Sequence, residues 1–273
     1  MIIHHYTNLE ALAMILSTRK LKFSRLDCVD DLEEGEIESD GLRLGKYVYV
    51  SCWTENEEES IPLWQMYGGS RVGVRISMDS DMFQDFLISS LELPNGMKLQ
   101  GTALYKLPPE ELIRPDYFVL PIFGNINKMF YRRIEYVDDV RGMTKNIVNR
   151  TMSDNIHADV RISLADVGRY KHKRWAFQEE TRFAVTILPG NPMIRLDAES
   201  ASSELLNALY NHRQLPFTSY FMQLKQSALN KMTITLNPSA TDAQRILAEA
   251  LCEKYAPGAV VKQSSLARNV NLK

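Results

Sequence analysis

The order in which helices and strands follow one another constrains this fold most. Segments with strand-like and helix-like patterns intermix along the 273 residues without a regular βαβα rhythm. A doubly wound parallel sheet needs that rhythm, whereas irregular intermixing favours an α+β fold. The sequence therefore predicts a single α+β domain over residues 1–273, with a mixed, mostly antiparallel sheet flanked by helices.

The stretch from about residue 91 to residue 121 interrupts this pattern. It carries five prolines, which break regular elements because proline has no backbone donor. We predict a loosely structured excursion there, within the single domain. Elsewhere the sequence predicts helices over 79–91, 143–154 and 162–170.

Charge and cysteine content exclude several classes of protein. The net charge of −2, from 32 basic and 34 acidic residues, argues against wholesale coating of nucleic acid. It still permits a local groove in which Arg132, Arg133 and residues 171–174 contact phosphate. Three widely spaced cysteines without a CxxC pair argue against a disulfide framework or a zinc knuckle.

The chain also lacks the common sequence signatures of export and of dinucleotide binding. Its first residues do not show the basic segment followed by an apolar segment that is typical of a secretory signal peptide. No apolar stretch approaches the roughly 18 residues of a membrane span. We therefore expect a cytoplasmic protein that does not enter a membrane. Neither GxGxxG nor GxxxxGK[ST] occurs, so a nucleotide would need another kind of site.

The first candidate site is at the N-terminus, where a strand over residues 2–6 runs into a helix. Thr7 and Glu10 have capping-box spacing at that junction. His5 at the strand end can donate to a ribose hydroxyl, and the helix amides favour anionic groups. The alternative is a histidine that only satisfies a backbone carbonyl.

The second candidate is the aromatic block SCWTENEEESIPLWQMY, which contains Trp53, Trp64 and Tyr67. Large aromatic side chains among polar groups can line a pocket for a flat ring. The alternative is that Trp53 and Trp64 are core residues.

The third candidate is the start of the predicted strand that contains TRFAVTIL. Alternation along a strand places Glu180 and Arg182 on one side and Glu179 and Thr181 on the other. A carboxylate at this position can stabilise a cationic transition state or accept a proton. The alternative is an exposed Glu–Arg pair of little energetic consequence.

Three separated blocks resemble one bacterial family, domain of unknown function 2971. They are HYTNLEALAMIL, SCWTENEEESIPLWQMYG followed by VGVRIS, and KRWAFQEETRF, and the match spans about residues 3–265. The chain departs from the family in its acidic loop, DDLEEG, which lacks the usual Asn and Pro, and at Gln178, where the family often has Glu. The family has no settled activity to carry over.

A looser resemblance is to ADP-ribosyltransferases of the His–Tyr–Glu type and their form of the α+β fold. It implies that His5 and Thr7 hold the ribose of NAD, that Tyr67 stacks on nicotinamide, and that Glu180 is the catalytic carboxylate. Trp53, Trp64 and Arg182 would complete the substrate site. The implied protein consumes NAD without a metal, either by transferring ADP-ribose to an unidentified macromolecular acceptor or by hydrolysing NAD, and acts as a toxin or a phage-defence effector.

Two other hypotheses stay open at this point. The protein could bind or process nucleic acid, with its basic residues on phosphates and its aromatic residues stacked on bases. It could also be a non-catalytic module that senses a nucleotide-type small molecule or binds a partner.

Overall fold

A computed structural model describes residues 1–68, 72–92, 96, 98–122, 129–152, 158–191 and 198–270. It confirms the α+β class with a mixed, mostly antiparallel sheet. The strands are β1 (Ile2–Asn8), β2 (Lys20–Arg25), β3 (Glu38–Ser39), β4 (Leu42–Arg43), β5 (Val48–Thr54), β6 (Gly73–Asp79), β7 (Phe86–Glu92), β8 (Lys98–Tyr105), β9 (Tyr117–Val119), β10 (Tyr131–Arg133), β11 (Glu135–Val137), β12 (Val148–Met152), β13 (Ala158–Ile162), β14 (Tyr170–His172), β15 (Glu180–Pro189), β16 (Ser219–Gln223), β17 (Thr233–Leu236) and β18 (Val260–Gln263).

The helices are short, and several span only one turn. They are α1 (Leu9–Thr18), α2 (Leu32–Gly35), α3 (Ile61–Tyr67), α4 (Pro109–Leu112), α5 (Val140–Thr144), α6 (Ala198–Tyr210), α7 (Gln226–Asn230) and α8 (Asp242–Tyr255). Four 3₁₀ helices accompany them in the described residues, at Leu26–Cys28, Leu44–Tyr47, Leu164–Asp166 and Lys173–Gln178. None of the described helices is long and apolar enough to cross a membrane.

One large sheet organises the described residues. Its strands follow the order β10-β15-β5-β1-β6-β17-β18, while β2 joins β5 and pairs with β16, and β9 pairs with β15. The pairs within it are antiparallel except for β17 with β18. β7 and β8 form a separate antiparallel hairpin, and β11 pairs in parallel with β14.

The large sheet forks at β5. One side of β5 pairs with β15 along its whole length. The other side is shared, because β2 pairs at Tyr49 and Val50 whereas β1 pairs at Thr54. Residues 51–53 lie between these two attachments, so β1 and β2 diverge there and leave a gap in the sheet.

Helix α1 connects the two arms of the fork. Its N-cap is Asn8, whose side chain accepts from the Ala11 amide at 2.9 Å, and not Thr7 as the capping-box spacing predicted. Thr7 is still part of β1, paired with Val74 in β6. The helix buries Leu12 and Leu16 against the core, which fixes it beside the gap.

The helices predicted over 79–91, 143–154 and 162–170 do not form as predicted. The first range contains most of β7 and the second contains β12, whereas the third holds the 3₁₀ helix Leu164–Asp166 between the last residue of β13 and the first residue of β14. The end of α5 also reaches into the second range, and residues 153–154 lie outside the described residues. β7 and β12 each form an antiparallel hairpin with the next strand in the chain, and this cross-strand pairing overrides local helical propensity.

The predicted excursion around 91–121 contains regular elements in its described part. They are the strand β8, the one-turn helix α4 and the strand β9, which joins the large sheet through β15. Prolines stand at the ends of these elements, with Pro109 opening α4. Residues 93–95 and 97 lie outside the described residues.

Candidate functional site

A cavity of about 810 Å³ lies in the fork between β1 and β2. Its walls come from β1, α1, β2 and β5, from the end of the first 3₁₀ helix and the loop after it, and from five residues beyond them: Leu63, Tyr67, Gln178, Glu180 and Phe221. Five of the residues that the sequence singled out line this one cavity: His5, Thr7, Trp53, Tyr67 and Glu180. The fork therefore brings together residues from three distant parts of the chain.

Two further predicted site residues do not line the cavity. Trp64 is fully buried, packs edge-on against the ring of Tyr6, and donates its indole N–H to Glu59 at 3.1 Å. Arg182 is also fully buried and lies behind Glu180. The structure therefore does not support the prediction that both residues contact substrate. Trp64 is kept from the cavity wall by its packing, and Arg182 by its ion pairs.

His5 closes part of the gap in the sheet. Its Nδ1 lies 2.7 Å from the carbonyl oxygen of Cys52, and its ring centroid lies 5.1 Å from that of Trp53. A carbonyl only accepts, so Nδ1 carries the proton. Burial lowers the pKa of His5 more than this hydrogen bond raises it, so the ring is neutral at pH 7.

This tautomer changes the predicted chemistry of His5. With Nδ1 protonated in a neutral ring, Nε2 has a free lone pair and accepts a hydrogen bond. The sequence led us to expect donation to a ribose hydroxyl, but the structure favours acceptance from one. The alternative interpretation is confirmed to the extent that the ring satisfies a backbone carbonyl; the ring also lines the cavity, and its contact with a ribose stays a prediction.

Glu180 begins β15 and is held in place from several directions. Its backbone N–H donates to the hydroxyl of Tyr136 at 2.8 Å. Its carboxylate accepts from Lys171 Nζ at 2.7 Å and from Arg182 Nε at 2.8 Å. The Glu–Arg pair is therefore buried, not exposed as the alternative interpretation had it.

The electrostatics of Glu180 keep it ionised. Burial opposes its negative charge, but the positive charges of Arg182 and Lys171 outweigh burial and hold the pKa of Glu180 well below its usual range. A carboxylate in this state cannot donate a proton near pH 7. It can act as a fixed negative charge beside the cavity.

Glu180 belongs to a buried cluster of two carboxylates and two cations. Arg182 also contacts the carboxylate of Glu34 and donates to the carbonyl of Gly168 at 3.1 Å. Lys171 Nζ lies 3.9 Å from a Glu34 oxygen. We call Glu34, Lys171, Glu180 and Arg182 the Glu180 cluster. Sequence reasoning missed Glu34 and Lys171, although both lie in stretches it had flagged as charged.

Tyr67, the last residue of α3, is tied to this cluster through Gln178. The Gln178 amide donates to the Tyr67 hydroxyl at 3.0 Å, and its carbonyl oxygen accepts from Lys171 at 2.7 Å. Burial is the largest cause that raises the pKa of Tyr67, and the interaction with Asp30 adds to it, so the phenol is neutral. Gln178 itself lines the cavity, a role that the sequence left in doubt.

The basic residues considered for nucleic acid do not share one exposed face. Arg132 is buried and donates to the backbone carbonyls of three neighbouring residues. Lys171 belongs to the Glu180 cluster. Arg133 and Lys173 form ion pairs at the surface.

Cys52 lines the cavity but is not prepared as a nucleophile. Burial and the nearby charge of Glu180 raise the pKa of its thiol, so the thiolate is disfavoured. Within the described part of the chain, no three His, Cys, Asp or Glu side chains are grouped as a metal site.

Comparison with known proteins adds no relative to this geometry. No family model matches the chain, and neither a curated protein nor a solved structure matches it. The case for a function therefore rests on the residues of the cavity.

Proposed function

We propose that this protein is an ADP-ribosyltransferase-like enzyme that consumes NAD, and that it shares its ancestry with the domain of unknown function 2971 family. One observation carries the proposal: His5, Tyr67 and Glu180, far apart in sequence, line a single cavity in a forked sheet. Three free cysteines fit a reducing compartment, and we propose the cytoplasm.

The proposed reaction breaks the bond between nicotinamide and C1′ of the ribose. The bonding electrons leave with nicotinamide, and positive charge develops on the ribose. Water or a nucleophile of a macromolecular acceptor then bonds to C1′ and loses its proton. A fixed carboxylate beside C1′ stabilises this charge, and Glu180 is ionised and rigidly held.

The other lining residues have roles that fit NAD. Nε2 of His5 accepts a hydrogen bond from a ribose hydroxyl, and Thr7 lies two residues further along the same strand. The rings of Tyr67 and Trp53 provide flat apolar surface for nicotinamide. Trp64 and Arg182 act only indirectly, through the packing of α3 and through Glu180.

The ion pairs of Glu180 favour a second candidate function. Its carboxylate already faces two cations, which offset part of the negative charge that it could offer a transition state. A module that binds a nucleotide without turnover would fit that arrangement. Both functions predict binding of NAD, but only the enzyme releases nicotinamide.

The decisive experiment measures nicotinamide release from NAD by chromatography. We expect Glu180→Gln to lower the rate by about 100-fold or more, as loss of one transition-state contact does. Glu34→Gln is the matched control, because it removes the same charge from the same cluster without lining the cavity. We expect it to retain most of the activity of the wild type.

Melting curves of both variants separate loss of activity from loss of folding. Equal losses of activity in two folded variants would contradict the catalytic assignment of Glu180. A wild type that binds NAD but releases no nicotinamide would favour the non-catalytic module.

A further inference from the structure

One wall of the cavity is formed by β2, whose two faces differ sharply. Leu21 and Phe23 are buried in the core, and Leu21 also borders the cavity. Lys20, Lys22 and Ser24 alternate with them, and all three line the cavity. Strand alternation thus presents two ammonium groups on one wall.

The fork explains why this wall is open. Ser24 pairs with Val50 in β5. Lys22 and Lys20 lie further along β2 but have no partner in β5, because β1 occupies the position beside the end of that strand. The face that carries the two lysines therefore borders the gap.

The two lysines differ from the other cations near the cavity. Both are exposed, and neither forms an ion pair with any residue that the structure describes. The carboxylates that line the cavity are Asp30 and Glu180; Glu180 is already paired, and Asp30 interacts with Tyr67. The positive charge on the β2 wall is thus available to a ligand.

An apolar ring stands beside these charges. Phe221 in β16 is paired with Lys22, so the two side chains lie on the same face of adjacent strands. Its side chain lines the cavity and is 53% exposed. Stacking on an exposed aromatic ring is a common way to hold a nucleobase.

We propose that Lys20 and Lys22 bind the phosphates of a nucleotide in this cavity, with its base beside Phe221. The proposal builds on the proposed function, because it uses the same cavity and names how a dinucleotide would be held. It does not require turnover, since recognition of phosphate by the two ammonium groups is independent of Glu180.

Calorimetric titration with ADP and with adenosine tests this directly. We expect the wild type to bind ADP more tightly than adenosine, and added salt to weaken only the ADP complex. The double variant Lys20→Gln with Lys22→Gln should bind ADP about tenfold more weakly and adenosine unchanged. Lys231→Gln, at an exposed lysine outside the cavity, is the matched control and should behave as wild type.

Two results would overturn the proposal. One is a wild type that binds ADP no more tightly than adenosine, including no binding of either. The other is unchanged ADP affinity in the double variant. Lysine-dependent ADP binding without NAD consumption would refute only the enzyme, whereas NAD consumption with an unchanged KM in the double variant would refute only the phosphate site.

Discussion

Two charge clusters in this protein have the same numbers of positive and negative side chains but different surroundings. Each pairs two carboxylates with two cations. The first is the Glu180 cluster, in which every side chain is at most 7% exposed. The second, which we call the Lys106 cluster, connects the loop after β6 with the ends of β8 and β16, and consists of Asp81, Asp85, Lys106 and Lys225.

The Lys106 cluster is largely open to water. Lys106 is buried, but the side chain of Asp81 is 45% exposed and that of Asp85 is 32% exposed. Water screens these charges, so the cluster ties three segments together at little desolvation cost. No cavity-lining residue belongs to it.

The Glu180 cluster is costly by comparison, because four charges are removed from water. Apolar side chains of similar volume could fill the same space with equal or greater stability. Ion pairs that are buried and also border a cavity are candidates for a functional role. The contrast between the two clusters therefore supports Glu180 as the centre of the site.

The largest expected effect comes from removing the shared cation of the buried cluster. Arg182→Met leaves Glu34 and Glu180 buried with only Lys171, and should lower the free energy of unfolding by about 3–5 kcal/mol. In Lys106→Met, the two carboxylates of the cluster remain hydrated and paired with Lys225. This variant should lower the free energy of unfolding by only about 1 kcal/mol. Urea unfolding at pH 7 measures both.

The comparison fails if the two methionine variants lose equal stability. A charge-balanced double variant provides the internal control. Adding Glu34→Gln to Arg182→Met leaves Glu180 paired with Lys171 and no uncompensated carboxylate, and should recover part of the loss.

The next effect concerns pH and a buried histidine outside both clusters. Nδ1 of His4 lies 2.8 Å from Ser77 Oγ, while its Nε2 is buried without a partner among the described residues. Burial, followed by the charges of Arg75 and Lys262, lowers the pKa of His4 from 6.5 to about 4. Below pH 6.5 the unfolded chain therefore binds a proton that the folded protein does not bind.

Stability should consequently fall as the pH drops from 6.5 to 4, by up to about 3 kcal/mol from His4. The carboxylates of Glu180, Asp81 and Asp85 have lowered pKa values in the folded protein, and in the unfolded chain they take up protons only near their ordinary values of 4.5 and 3.8, so they add to the slope only at the acid end of this range. Urea unfolding across the range should show a shallower slope for His4→Gln. Parallel slopes for the two proteins would refute the assignment.

The smallest effect should come from the open cluster. Asp85→Asn leaves Lys106 and Lys225 paired with Asp81, and a third of the Asp85 side chain is already in water. We expect a loss below about 1 kcal/mol in urea unfolding. A loss as large as that of Glu180→Gln would show that burial does not distinguish the two clusters.

Secondary structure was predicted correctly where the local alternation of residues is itself sufficient to indicate a strand. The start of β15 was predicted and is observed. Sequence reasoning failed over 79–91 and 143–154, where hairpins form, and over 162–170, where the only described helical segment is the 3₁₀ helix Leu164–Asp166. Trp64 was singled out for its residue type, but residue type does not say whether a side chain reaches a cavity or the core.

The amino-acid sequence by itself determined that Glu180 and Arg182 share one face of a strand, because alternation is a property of the extended backbone. It also determined the class of the fold. Only the tertiary structure decided that Glu34, far away in the chain, neutralises Arg182, and that β1 and β2 part at β5 to open a cavity. Those contacts depend on strand order and burial, and no local pattern of residues encodes either.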